Sequence, residues 1–246
     1  MKTYWTKFTH SSFIQPLRLL WRALRHSKDR ETILLRLRSP PGLFQPDGHT
    51  TCDRYPICFK VVCTELKDQK NPRLLSFGCS TGEEVFSLAR LLTDATVRGL
   101  DINRRAVDKA RLSTPPIWAD RISFAVASST KAEPSETYDA VLAMAVFRHC
   151  DLQGLHPQRC DHRIRFADFA QSIEDLARCI KPGGLLVLRN SHFRFSDTAT
   201  FHLFQPVLTL ARVQTTPPNP IYGPDNRLIL DAPPSTEGIW RKHPTP

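Results

Sequence analysis

Glycine is scarce in this chain of 246 residues, 10 against 20 prolines. The prolines follow no period, which excludes a collagen-like or linker-like chain and marks many fixed turns instead. No stretch reaches the roughly 20 apolar residues that a membrane crossing needs. The most apolar early segment, residues 13–24, is interrupted by Arg18 and Arg22 and has no small-residue cleavage site behind it, so a signal peptide is not expected. The seven cysteines are odd in number and lack the dense spacing of a disulfide framework. A reducing cytoplasm is the expected location. Internal repeats and low-complexity tracts are absent, and so is the dinucleotide fingerprint G-x-G-x-x-G.

What is present is enough apolar material for a core, 41% of the chain, which rules out disorder for most of it. The length fits one large domain, or one domain with an extension. Charge divides the chain unevenly. Residues 1–40 hold nine basic residues against Asp29 and Glu31, which is +7 of the formal +10. We therefore read residues 1–71 as a basic helical extension and residues 72–246 as the main domain.

Within the extension, Leu17, Leu20, Trp21 and Leu24 form the apolar stripe of a helix, with Arg18, Arg22 and Arg25 on another face. Such a helix most simply caps the main domain. Its basic face also makes residues 14–38 a candidate surface for nucleic acid or an anionic membrane. A break at Ser39-Pro40-Pro41-Gly42, a loop to Pro56 and a helix over 57–66 are expected next.

The main domain opens on a buried strand over 73–79, the turn Gly78-Cys79-Ser80-Thr81-Gly82, and a helix over 83–92. A second strand over 96–100 ends at Asp101, 23 residues after Gly78, and a helix over 103–112 follows. Glycines let a backbone approach a ligand closely, a helix amino terminus offers free N–H groups, and an acid ending the next strand can accept both hydroxyls of a ribose. Two carboxylates, Glu83 and Glu84, stand where a pyrophosphate would need none. They suit a ligand with a ribose and positive charge, and S-adenosylmethionine has a ribose, an α-ammonium and a sulfonium.

RLLSFGCSTGEEVFSLAR followed by VRGLDINRRAVDKAR resembles the first two motifs of class I S-adenosylmethionine-dependent methyltransferases. The GCSTGEE form is especially similar to that of chemotaxis receptor methyltransferases. Later motifs follow in order: YDAVLAMAV over 138–146 resembles the fourth strand, and IEDLARCIKPGGLLVL over 173–188 resembles a helix, a K-P-G-G turn and the fifth strand. The resemblance implies an α/β, Rossmann-like, doubly wound and mostly parallel seven-stranded sheet. Strands over 206–213, 227–231 and 238–242 would complete it. It implies cofactor contacts from Gly78, Cys79, Ser80, Gly82, Glu83, Asp101 and Ile102, with Ser128 and Ser129 flanking adenine after a strand over 121–127. Ser76 and Ser80 depart from the family, which usually carries an acid and a glycine there.

Ligands in such sheets sit beyond the strand carboxyl ends. His149, after the fourth strand, and His192, after the fifth, are the candidate bases if the acceptor is a hydroxyl or protonated nitrogen; a carboxylate acceptor would need none. His149, Cys150, His156, Cys160 and His162 lie within 14 residues, but without the paired spacing of a structural zinc site, and no metal is assigned. The expected function is in-line methyl transfer to an O or N acceptor, small molecule or protein. The alternatives are a nucleic-acid methyltransferase and a non-catalytic binding protein that kept the fold.

Overall fold

The computed structural model describes residues 27–48, 50, 53–154, 156–212, 219–233 and 236–244. It divides into two compact units, Met1–Pro40 and Pro41–Pro246. In the first, helix α1 (Ser27–Arg38) ends where Ser39 turns left-handed (φ +38) and its hydroxyl donates to the Arg36 carbonyl. The stripe Leu17–Leu24 read from the sequence lies outside the described residues. No described helix is long and apolar enough to cross a membrane.

The second unit begins with a loop and α2 (Pro56–Leu66), whose start carries proline where no N–H is needed. Then follow β1 (Arg73–Phe77), α3 (Glu83–Leu91), β2 (Thr96–Asp101), α4 (Arg104–Leu112), β3 (Ile122–Val126), β4 (Tyr138–Met144), α5 (Phe166–Cys179), β5 (Ile180–Arg189), β6 (Phe204–Leu210) and β7 (Glu237–Lys242). The sheet order is β3-β2-β1-β4-β5-β7-β6. The first five strands pair in parallel; β7 runs antiparallel to both β5 and β6.

Both faces of the parallel strands are covered, so they read as continuous apolar runs: every residue of β4 is buried. Alternation splits them between two cores. Leu74, Val97, Ala140, Leu142 and Val187 pack with Phe59 and Val62 of α2, Val85 and Leu88 of α3, and Val107 of α4. Leu75, Val141, Ala143 and Leu186 pack with Phe169, Ile173 and Leu176 of α5 and with Phe147. The order in which strands are added reverses between the parallel neighbours β1 and β4, which opens a crevice at their carboxyl ends.

Two sequence expectations are corrected. Residues 227–231 form no strand. Asn226 takes a left-handed turn (φ +62) and its side-chain oxygen accepts from the Phe166 N–H at 2.7 Å, capping α5, and isolated bridges alone join Arg227 to Arg159 and Leu228 to Tyr222. The K-P-G-G segment is not a separate turn but the start of β5. Pro182 has no N–H to give the ladder, Gly183 swings to φ +78, and the register against β4 shifts between Tyr138 and Ala140.

At the amino end of β4, the Tyr138 hydroxyl donates to Glu133 at 2.5 Å, and Glu133 also accepts from Arg98 at 2.8 Å. Tyr138→Phe removes one donor but leaves the arginine. It is expected to cost about 1–2 kcal/mol, read as a lower urea midpoint with an unchanged slope.

Candidate active site

The turn after β1 is left-handed at three positions, Gly78 (φ +76), Ser80 (φ +50) and Gly82 (φ +93). Gly78 has no substitute, because a Cβ there would lie 2.2 Å from Val146 Cγ2. The N–H groups of Gly78 and Cys79 both donate to the Leu100 carbonyl, at 2.8 and 3.0 Å, which ties the turn to the end of β2. Asp101 then receives the Ser80 N–H at Oδ2 (2.7 Å) and the Asn103 N–H at Oδ1 (2.8 Å). Burial pushes its carboxyl up, and the two N–H donors pull it back. Each oxygen keeps a lone pair for a further donor, as a ribose diol requires. Ile102 follows, half-buried.

The two glutamates that open α3 differ in role. Glu83 accepts the Thr81 hydroxyl at 2.7 Å and stays local. Glu84 turns inward, where its Oε1 is enclosed without a hydrogen-bond partner; the enclosed Ser76 hydroxyl beside it also lacks one. Burial pushes the Glu84 carboxyl up to about 7, against the Ser76 hydroxyl and the Arg54 guanidinium, which lower it. Asp53 (φ +53) fixes the approach of Arg54 by accepting from Ser87 at 3.0 Å and Arg90 at 2.8 Å, both on α3. An orphaned buried carboxylate oxygen calls for a cationic donor. An α-ammonium supplies one, whereas a pyrophosphate would be repelled, so the donor set fits a sulfonium amino-acid cofactor.

A strap over 41–48 roofs this crevice. At its start, a Cβ on Gly42 would come within 2.7 Å of the Ser128 carbonyl. In the middle, Phe44 is buried edge-on against Phe147 at 5.0 Å, and Gln45 Oε1 accepts the Cys150 N–H at 3.2 Å. At its end, the Ser80 hydroxyl donates to the Gly48 carbonyl at 3.3 Å. Ser128 and Ser129, after β3, are half-buried.

The family model described as a methyltransferase domain matches residues 75–188. Residues 75–188 thus carry a methyltransferase domain. It is 28% identical over 124 residues to a tRNA (guanine-N(7)-)-methyltransferase of Rubrobacter xylanophilus, covering 50% of this chain and 53% of that protein. The chain thus spans about half the length of the curated relative it matches. Similar solved structures include YcgJ of Bacillus subtilis (12% identity, 66% and 76% of the two chains, TM-score 0.46). Another is a methyltransferase of Geobacter sulfurreducens in complex with S-adenosylhomocysteine (18% identity, 67% and 70%, TM-score 0.44).

In this methyltransferase domain the two candidate bases stand in different settings. His192 is fully buried, with Nδ1 2.9 Å from the Pro220 carbonyl and Nε2 3.2 Å from the His149 carbonyl. Burial lowers its pKa to about 4 against the pull of those carbonyls. It ties the β5 exit to the β4 exit. His149 lies on the β4 exit, and its Nδ1 accepts the Asp151 N–H at 3.2 Å. Among the described residues, the potential metal ligands that converge are His149, Cys150 and Asp151, within 4.8 Å, rather than His156, Cys160 and His162. Their atoms are engaged: Asp151 Oδ2 pairs with Arg163 Nε at 3.1 Å.

Sequence reasoning weighed Glu84 together with Glu83 but assigned the cofactor contact to Glu83, and it passed over Arg54 and the strap residues Phe44, Gln45 and Gly48. Glu84 had a signal, since a second acid in a helix's first turn beside a glycine loop is visible in the sequence. The strap had none beyond its composition.

Proposed function

We propose that this chain binds S-adenosylmethionine in the crevice of β1 and β2 and transfers its methyl group in line to an O or N atom of a small-molecule acceptor. The observation that carries this reading is the orphaned, enclosed Oε1 of Glu84, a carboxyl that also feels the charge of Arg54. That pair of opposite charges matches the α-ammonium and carboxylate of one amino acid. Asp101 takes the ribose hydroxyls, Ser128 and Ser129 border the adenine, and Gly78 and Gly82 let the backbone pass close.

The cofactor, when bound, supplies a methyl group on a positively charged sulfur. The chain's own residues align that methyl with the acceptor and keep water away, and alignment alone can contribute several kcal/mol. The strap serves the second purpose. In this reading His149, whose Nδ1 takes the Asp151 N–H, stands on the acceptor side. His192 acts as a positioning residue for that loop.

The second reading, methylation of nucleic acid, is favoured by the likeness to a tRNA methyltransferase and by the +7 charge of residues 1–40. Release of S-adenosylhomocysteine separates the two. Turnover is expected with a dialysable, nuclease-treated metabolite fraction and not with bulk tRNA. His149→Gln should lower that turnover while leaving S-adenosylhomocysteine affinity within about twofold. Turnover confined to tRNA would replace the proposal with the second reading.

A further inference from the structure

The β4 exit holds a guanidinium that the fold does not account for. Arg148 is half-buried in the loop after β4, and its Nη2 donates to Gln153 Oε1, a neutral acceptor, at 2.6 Å. Its Nε is enclosed and donates to nothing. Other arginines near the strand exits are paired with acids, Arg163 with Asp151 at 3.1 Å and Arg194 with Asp197 at 2.8 Å. Burial and the nearby Arg54 both oppose the charge on Arg148, with Tyr55, Cys150 and Asp47 favouring it. Around the same point the Arg54 guanidinium lies 4.9 Å and the Arg189 guanidinium 5.8 Å from the Tyr55 ring centre. An enclosed N–H without an acceptor is a standing cost that a bound anion removes.

We propose that Arg148 is the anion-binding group of the acceptor pocket, and that the acceptor is a small molecule bearing a carboxylate or phosphate. This rests on the methyl-transfer reading above. A planar guanidinium edge suits either anion through paired N–H donors. The cofactor's own carboxylate is the other possible source of such an anion, and the structure argues against it. Ammonium and carboxylate share one carbon in that molecule, so the guanidinium serving the carboxylate must sit beside Glu84. Arg54 acts on Glu84 and is therefore the first candidate for that carboxylate. Phe44 on Phe147 and Gln45 on the Cys150 N–H hold the strap over this loop, which favours a small acceptor over a polymer.

The test uses inorganic phosphate and malonate as probes, titrated against the full chain at constant ionic strength with melting temperature as readout. Binding of S-adenosylhomocysteine is measured first, so that failure of the methyl-transfer reading shows before any anion is added. In the saturated complex, wild type should show a saturable rise in Tm with at least one anion, and Arg148→Gln should lose it. Arg148→Lys should keep a weaker form. S-adenosylhomocysteine affinity of Arg148→Gln should stay within about twofold. If Arg148→Gln fails to fold, the wild-type and Arg148→Lys titrations decide. No saturable rise in wild type beyond that of chloride, or an equal rise in Arg148→Gln, overturns the proposal. So does a loss of about tenfold in affinity for S-adenosylhomocysteine with none for methylthioadenosine, which lacks the carboxylate; Arg148 would then serve the cofactor.

Discussion

Asp101→Ala is expected to weaken S-adenosylhomocysteine binding by about 100-fold, or roughly 3 kcal/mol. Two ribose hydroxyls on one carboxylate are charge-assisted bonds, each typically worth about 1.5–3 kcal/mol when the group is buried. The same carboxylate receives the N–H groups of Ser80 and Asn103 at 2.7 and 2.8 Å, so its removal also loosens the turn that passes under the cofactor. Asp101→Asn separates the two contributions. It keeps the shape but replaces one acceptor with an amide NH2 donor, so it should lose affinity and hold more of the fold. Calorimetric titration gives the affinities, and circular dichroism with thermal melting gives the fold. A loss below about threefold in a folded Asp101→Ala protein would remove Asp101 from the cofactor site.

The second large effect concerns Glu84 and carries a pH signature. Its carboxyl titrates at about 7 in the free protein, above its ordinary 4.5. An α-ammonium binds the ionised form, so affinity for S-adenosylhomocysteine should be level above about pH 8. It should fall as pH drops through 7, by up to about tenfold per unit. Glu84→Gln should bind about tenfold more weakly at pH 8 and show a nearly flat profile from pH 6 to 8.

Stability moves in the opposite sense. A raised folded pKa means the native state holds its proton more tightly, so the group's favourable contribution is complete below pH 4.5 and is lost as pH rises to 7. Ligand-free Glu84→Gln should therefore be more stable than wild type at pH 8, by an amount on the order of 2 kcal/mol, and lose that advantage near pH 4.5. Denaturation at the two pH values checks the sign. A variant that binds normally, with the wild-type pH profile, would show that Glu84 faces no cofactor.

The β1-α3-β2 unit was legible in the sequence because each part has a local cause. A strand covered on both faces is a plain apolar run, the turn needs a glycine where Val146 packs, and the acid follows the second strand. The site was legible as far as main-chain position decides it, which is why Asp101 and Gly78 could be named. Side-chain direction was not. Glu83 and Glu84 are neighbours in one helical turn, about 100° apart. Only the docking of α3 on the sheet turns one toward Thr81 and the other toward Ser76.

His192 shows the same limit, since strand position alone could not reveal that carbonyls of Pro220 and His149 would take its ring. The strap was hidden for a different reason. Phe44 and Gln45 gain their partners 103 and 105 residues away, Phe147 and Cys150, only after the sheet has formed. The strand expected over 227–231 failed for the same reason, for Asn226 caps α5, 60 residues away, instead of extending a ladder.

The most direct test of the cofactor assignment is calorimetric titration of the purified wild-type chain with S-adenosylhomocysteine at pH 8. The geometry of Asp101, Glu84 and Arg54 predicts one site per chain with a dissociation constant on the order of micromolar. Well-folded protein that releases or absorbs no heat and gains no melting temperature with the ligand would contradict it. The sheet would then stand as a methyltransferase fold without its cofactor.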